Sequence, residues 1–166
     1  RKARKVTEFD TELQGLIDDM VETMREAPGV GLAAPQINVQ LRVIVVEFGD
    51  EENEQAPLKP YTVVNPEIAR NSAEMVGGNE GCLSVPGFSG DVDRTEGISI
   101  KGRNRFGKPM RFKANGWLAR IFQHEIDHLD GKLILERTDR ESRVEALRIL
   151  EGEIPPHGTR QGPARL

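Results

Sequence analysis

Residues 117–129 read WLARIFQHEIDHL, and Trp117, Leu118, Ile121, Phe122, Ile126 and Leu129 leave this run apolar nearly all the way round a helix. Such a helix is normally buried. Asn115 stands where an N-cap would, and Gly131 where a left-handed residue would end the helix. Inside the run lies His124-Glu125-Ile126-Asp127-His128. Four residues make slightly more than one turn, so the two imidazoles point the same way and can share one metal ion. Glu125 lies ~100° round the helix from His124, near that ion without having to ligate it. It can take a proton from an attacking water and pass it to a leaving group. The bland alternative is a helix with two ordinary histidines. Two histidines, a glutamate and an aspartate in the most apolar helix of the chain are costly unless satisfied, and a metal satisfies them.

A hydrolytic site of this kind usually takes three protein ligands and leaves a fourth position open. The remaining histidine, His157, lies in a Pro/Gly-rich terminus, and the position six residues beyond His128 is Ile134, not a third histidine. Glu145 and Glu151 are loose downstream candidates. Cys82, the single cysteine, stands in Glu80-Gly81-Cys82-Leu83-Ser84. Its thiolate would suit a borderline metal, although a lone cysteine is often a small buried hydrophobe. A further segment, Gly29-Val30-Gly31-Leu32-Ala33-Ala34-Pro35-Gln36, has neither the Walker lysine nor dinucleotide glycine spacing. Its small residues would let backbone approach a substrate, and the Gln36 amide could donate to an oxyanion. It reads equally as a helix terminator and tight turn.

Outward from these segments the pattern mixes α and β. Phe9, Leu13, Leu16, Ile17, Met20, Val21 and Met24 form an amphipathic stripe. Thr7 and Asp10 resemble a capping box before it, and Ala27-Pro28-Gly29 stops it. Residues 40–48 (QLRVIVVEF) and 61–65 read as strands, the second closed by Pro66. Residues 49–60 read as a solvated loop, and 77–90 as loop or bulged strand. Residues 98–101 and 110–113 form a hairpin through Asn104–Gly107. A last helix over 139–151 sets Val144, Leu147 and Leu150 on one side.

The 166 residues fit one domain, expected over 1–151, with 152–166 a flexible tail. A composition 37% hydrophobic and 30% charged, with no ~18-residue apolar run, excludes a membrane-spanning helix. One cysteine excludes an intramolecular disulfide, and the net charge of −4 argues against a general nucleic-acid binder. These counts predict a soluble, cytoplasmic protein. The basic opening Arg1–Lys5 has no initiator methionine and is no secretory signal, so residues are expected to be missing before it.

Taken together, GVGLAAPQ (29–36), EGCLS (80–84) and QHEIDHLDG (123–131) resemble, in order, the three signature motifs of the bacterial peptide deformylases. The resemblance covers about Val6 to Leu135, and Val85-Pro86-Gly87, Arg94 and Gly116 agree with it. It implies an α+β fold with small antiparallel sheets around a central metal-binding helix. It implies removal of the N-formyl group from nascent peptides that begin with formylmethionine. Carried over by motif, Cys82, His124 and His128 bind the metal and Glu125 is the general acid/base. Gln36 and the Leu83 backbone N–H stabilise the oxyanion, Gly31 hydrogen-bonds the peptide, and Val30, Ile121 and His124 wall the methionine pocket. The ion implied is iron(II), Fe(2+), with zinc, nickel or cobalt as replacements in purified samples. A ribosome contact near the exit tunnel is implied, with no membrane and no sequence-specific nucleic acid as partners. A peptide-contacting arginine of some members is replaced by Ser89. Two other readings keep the metal helix: a general H-E-x-x-H metallopeptidase, and a non-catalytic metal-binding protein.

Overall fold

The computed structural model describes residues 1–27, 29–50, 53 and 55–157. The apolar stripe forms helix α1, Thr11–Glu26, which buries Leu13, Ile17, Met20 and Met24. Asp10 is itself the N-cap, accepting from Leu13 N at 2.9 Å, so the expected Thr7 capping box is not the device used. Ala27 closes the helix through its N–H to Thr23 O, while the expected role of Pro28 lies outside the described residues.

Strand β1, Gly31–Ala33, and β2, Val43–Phe48, pair antiparallel. Strand β3, Lys59–Asn71, pairs with β2 and runs past Pro66, which does not close it. The chain absorbs that proline at a register shift between Val64 and Glu67, beside Asn65 in the left-handed region at φ 52°. Residues 77–90, expected as loop or bulged strand, form most of a separate antiparallel hairpin: β4, Met75–Cys82, and β5, Val85–Thr95. The glycines permit close contact rather than looping. A Cβ on Gly78 would lie 2.8 Å from the Arg120 guanidinium carbon. Strands β6, Gly97–Arg103, and β7, Pro109–Asn115, complete a five-stranded sheet in the order β1-β2-β3-β6-β7.

Helix α2, Gly116–Leu129, follows, with Asn115 at the N-cap position but making no side-chain cap bond. Every residue from Ala119 to Leu129 is buried. Helix α3, Arg140–Leu150, is capped by Asp139, which accepts from Ser142 N at 2.8 Å.

The β-branched run of β2 has apolar partners on both faces. Ile44 and Val46 join Ala119, Ile121 and Phe122 of α2 in one cluster, while Val43 and Val45 join Leu13, Ile17 and Met20 of α1 in another. A third cluster sets Ala146 and Ile149 of α3 against Val85, Phe88 and Val92 of β5, with Cys82 among them. The docking side of α3 is therefore Ala146 and Ile149; Val144, Leu147 and Leu150 share a side but are about half exposed. At the C-terminal end, His157 N donates to Gly87 O at 2.7 Å, so the chain still lies on β5 there. Of the tail expected to be flexible, 152–166, residues 152–157 are thus placed against the fold, and 158–166 lie outside the described residues.

Candidate metal centre

Helix α2 presents His124 and His128 one turn apart, and the end of β4 brings Cys82 to them. Cys82 Sγ lies 3.2 Å from His128 Nε2, which lies 3.2 Å from His124 Nε2. The ligand atoms of the three buried residues all fall within 4.8 Å of one another. The other candidates for a third ligand are elsewhere: His157 Nε2 is 3.2 Å from Glu145 Oε1 on the outside of α3, and Glu151 is exposed at its end. Burial disfavours a thiolate at Cys82, but the two imidazoles outweigh it and bring its pKa down to about 5. Burial also disfavours an imidazolium at His124, yet Cys82 and Glu80 hold its pKa up at about 10. The centre thus gathers positive charge between a thiolate and carboxylates, where a divalent cation fits.

The His124 imidazole is held from behind. His124 Nδ1 lies 2.9 Å from Glu80 Oε2, which turns Nε2 toward Cys82 and His128. Arg94 grips both Glu80 oxygens at 2.9 and 3.0 Å, and Arg120 reaches Oε1 at 2.8 Å. Burial would raise the Glu80 pKa, but His124 and Arg94 prevail and lower it to about 2. Arg94 also meets Asp127 at 2.6 Å, and Arg137 contacts both oxygens of that aspartate. Glu80 and Arg94 belong to segments the sequence singled out, but their pairing with the helix was not readable. The available signal was Arg120 and Asp127, two charged side chains outside the expected ligand and acid/base set, on a helix buried nearly all round.

Glu125 is wholly buried, and neither carboxylate oxygen has a hydrogen-bond partner among the described residues. Burial pushes its pKa above the ordinary carboxylate value. An unpartnered buried carboxylate beside three metal-ligand atoms fits a site that takes both an ion and a substrate. Gly31 makes room for it, since a Cβ there would lie 2.6 Å from Glu125 Oε1. The Gln36 amide is fixed in orientation because its Oε1 accepts from Ala33 N at 2.8 Å. Its Nε2 then faces Ser84 Oγ at 3.3 Å and Cys82 Sγ at 4.0 Å. Leu83 sits in the turn between β4 and β5, with Leu83 Cδ1 3.3 Å from where a Gly29 Cβ would be. Val30 packs on the same hydrophobic cluster to which Ile121 of α2 belongs. Cys82, His124 and His128 thus come together, with Glu125 against Gly31 and the Gln36 amide facing Cys82.

Residues 1–144 match the family model described as polypeptide deformylase. A peptide deformylase of Symbiobacterium thermophilum is 48% identical over 137 residues, 82% of this chain and 60% of that protein's length. One from Halothermothrix orenii is 48% identical over 139 residues, 84% of this chain and 86% of the relative. Among solved structures, a peptide deformylase from Legionella pneumophila superposes with a TM-score of 0.82 at 42% identity, covering 92% of this chain and 87% of that one.

Proposed function

The chain belongs to the polypeptide deformylase family, and on that premise we propose that it hydrolyses the N-formyl group from the formylmethionine that begins newly synthesised polypeptides, releasing formate. The observation that carries this reading is the buried, unpartnered Glu125 carboxylate beside the Cys82, His124 and His128 ligand atoms. Those three residues would hold the metal. A thiolate and two imidazoles suit iron(II), zinc, nickel or cobalt, and the family resemblance favours iron(II) as the resident ion. When bound, it supplies Lewis acidity toward the formyl carbonyl and makes water more acidic.

Glu125 takes the proton of the attacking water and delivers it to the departing peptide nitrogen. Gln36 Nε2 and the Leu83 N–H donate to the carbonyl oxygen as it gains negative charge. Gly31 lies in β1, the end strand of its sheet, and offers backbone hydrogen bonds to a peptide in extended form. Val30 and Ile121 wall the pocket for the methionine side chain.

Residues 1–151 act as one catalytic domain, in the cytoplasm, where a ribosome contact near the exit tunnel would bring the enzyme to its substrate. No helix among the described residues is long and apolar enough to cross a membrane. The test is formate release from formyl-Met-Ala-Ser by anaerobically prepared protein, with metal analysis of the same sample. Activity proportional to bound metal is expected, with formyl-Asp and acetyl-Met tripeptides slower by ~10²-fold or more. Comparable kcat/KM on all three peptides would overturn the reading.

A further inference from the structure

The β3–β6–β7 half of the sheet turns one face to α2 and the other to solvent. Ile98, Ile100 and Ala114 take the α2 side, and strand alternation sends Lys101, Arg103, Arg111 and Lys113 to the other. Helix α1 packs on that outer face through Val43, Val45 and Val64. Next to it remains an open groove of about 670 Å³, lined by Lys5, Lys101, Arg103 and Arg111 among others.

Three features make this groove unusual in a chain of net charge −4. Lys101 stands directly opposite Arg111 in the β6–β7 register, an arrangement of like charges that weakens strand pairing. Among the described residues Glu67 is the one carboxylate lining the groove, held by Lys101 at 3.0 Å and Lys5 at 3.4 Å. Arg103 and Arg111 have no carboxylate partner among the described residues; they donate to Gly107 O and Ser99 Oγ. Finally, the turn that joins the lining residues Arg103 and Pro109 carries, outside the lining itself, Phe106, 68% exposed, with the Arg105 guanidinium 6.0 Å from its ring centroid.

We propose that this groove is a docking surface for RNA, its lysines and arginines pairing with phosphates while Phe106 stacks on an unpaired base. Cations repeat ~7 Å apart along a strand and ~5 Å across the pair, a ladder suited to a polymer of regularly spaced anions. A flat bilayer fits a concave cationic groove poorly and would want more than one apolar side chain. An acidic peptide would leave the exposed ring without a stacking partner. Such contacts read phosphate and any base face, so they are compatible with a protein that recognises no particular sequence. The inference is independent of the hydrolytic reading, because these side chains lie on the face of the sheet away from α2.

The test is fluorescence anisotropy of a labelled oligouridylate of about twelve nucleotides with full-length, metal-loaded protein, over roughly 50 to 200 mM salt. Binding that weakens steeply with salt is expected. Lys101→Glu with Arg111→Glu should lower affinity about tenfold or more and reduce the log–log salt slope by about 1.4, two single-strand phosphate contacts. The milder Lys101→Gln with Arg111→Gln should show a smaller loss of affinity with the same change of slope. Phe106→Ser should weaken binding severalfold with the slope unchanged. Formate release within about twofold of the parent, an amount below ~0.5 kcal/mol, verifies folding of each variant. The proposal is overturned if the parent does not bind at low salt, or if Lys59→Glu with Lys132→Glu loses as much affinity. It is overturned equally if polyglutamate or phosphatidylserine vesicles bind more tightly than the RNA.

Discussion

A methyl group on Gly31 would overlap the Glu125 carboxylate, its carbon 2.6 Å from Oε1, so Gly31→Ala has to move that carboxylate. Misplacing a catalytic group by ~1 Å can cost ~10²-fold, and overpacking a buried site costs ~1–3 kcal/mol. Gly31→Ala is therefore expected to lower kcat by ~10²-fold with bound metal unchanged. Glu125→Gln is expected to keep the metal and lose ~10²–10⁴-fold in kcat, because the near-isosteric amide takes no proton. Since both changes act through one carboxylate, their effects should not add. Steady-state kinetics on the two single variants and the double variant decide this; a multiplicative double variant would separate Gly31 from Glu125. At this scale the ligands on α2 were legible, because spacing by four on a helix is a local property. The hold on His124 was not: Glu80 is 44 residues from it, and only the folded chain brings the pair together.

Elements with a local pattern were legible as well. Helices α1 and α2 and the β6–β7 hairpin lie close to where periodicity placed them. The β4–β5 hairpin was obscured because its glycines serve close tertiary contacts, Gly78 with Arg120 of α2 and Gly90 with Thr138, which no local reading contains. The docking side of α3 was not readable for a related reason, since a helix of mixed faces docks by whichever side its neighbour fits. One inter-element contact has a measurable pH signature. Arg25, in the last turn of α1, donates Nε to Glu47 Oε2 at 3.0 Å, and Nη2 reaches the other oxygen. The same glutamate's N–H holds Val30 O at 2.9 Å, next to the site. The Arg25 hydrogen bond, against the opposing effect of burial, holds Glu47 below the ordinary carboxylate value of 4.5. A carboxylate with a depressed folded-state pKa stabilises fully above about 4.5 and loses that contribution as pH falls through the lower value. Glu47→Gln should lower Tm by ~1–3 °C at neutral pH. The difference should shrink as pH drops below about 4.5 and close at stronger acid. Calorimetric scans of both proteins across that range test it, and a difference that grows toward acid would contradict the assignment.

Across the whole molecule, the metal centre lies at a junction between packing units. Cys82 belongs to the cluster that joins the β4–β5 hairpin to α3, while Ile121 and Phe122 of α2 belong to the cluster beneath the sheet. Besides the Glu80, Arg94 and Asp127 ion pairs, a metal held by Cys82, His124 and His128 would tie those units together. Binding to the folded state at ~10³ times Kd adds ~4 kcal/mol of stability, and each kcal/mol moves Tm by ~2–4 °C in a domain of this size. Chelation is therefore expected to lower Tm by ~10 °C, with recovery on adding zinc. The loss should also be uneven. Strands β2 and β3 keep α1 on one face and α2 on the other, with Val43, Ile44, Val63 and Val64 fully buried. The hairpin and α3 form a smaller cluster, and α3 leaves three large apolar side chains about half exposed. Opening there costs less than opening the sheet, and the metal adds most to the region it fastens. Hydrogen exchange on the metal-loaded and chelated protein should show protection falling first across β4, β5 and α3, with β2 and β3 little changed. A uniform fall across the sheet and the hairpin would mean that the ion stabilises one cooperative unit rather than the seam between two.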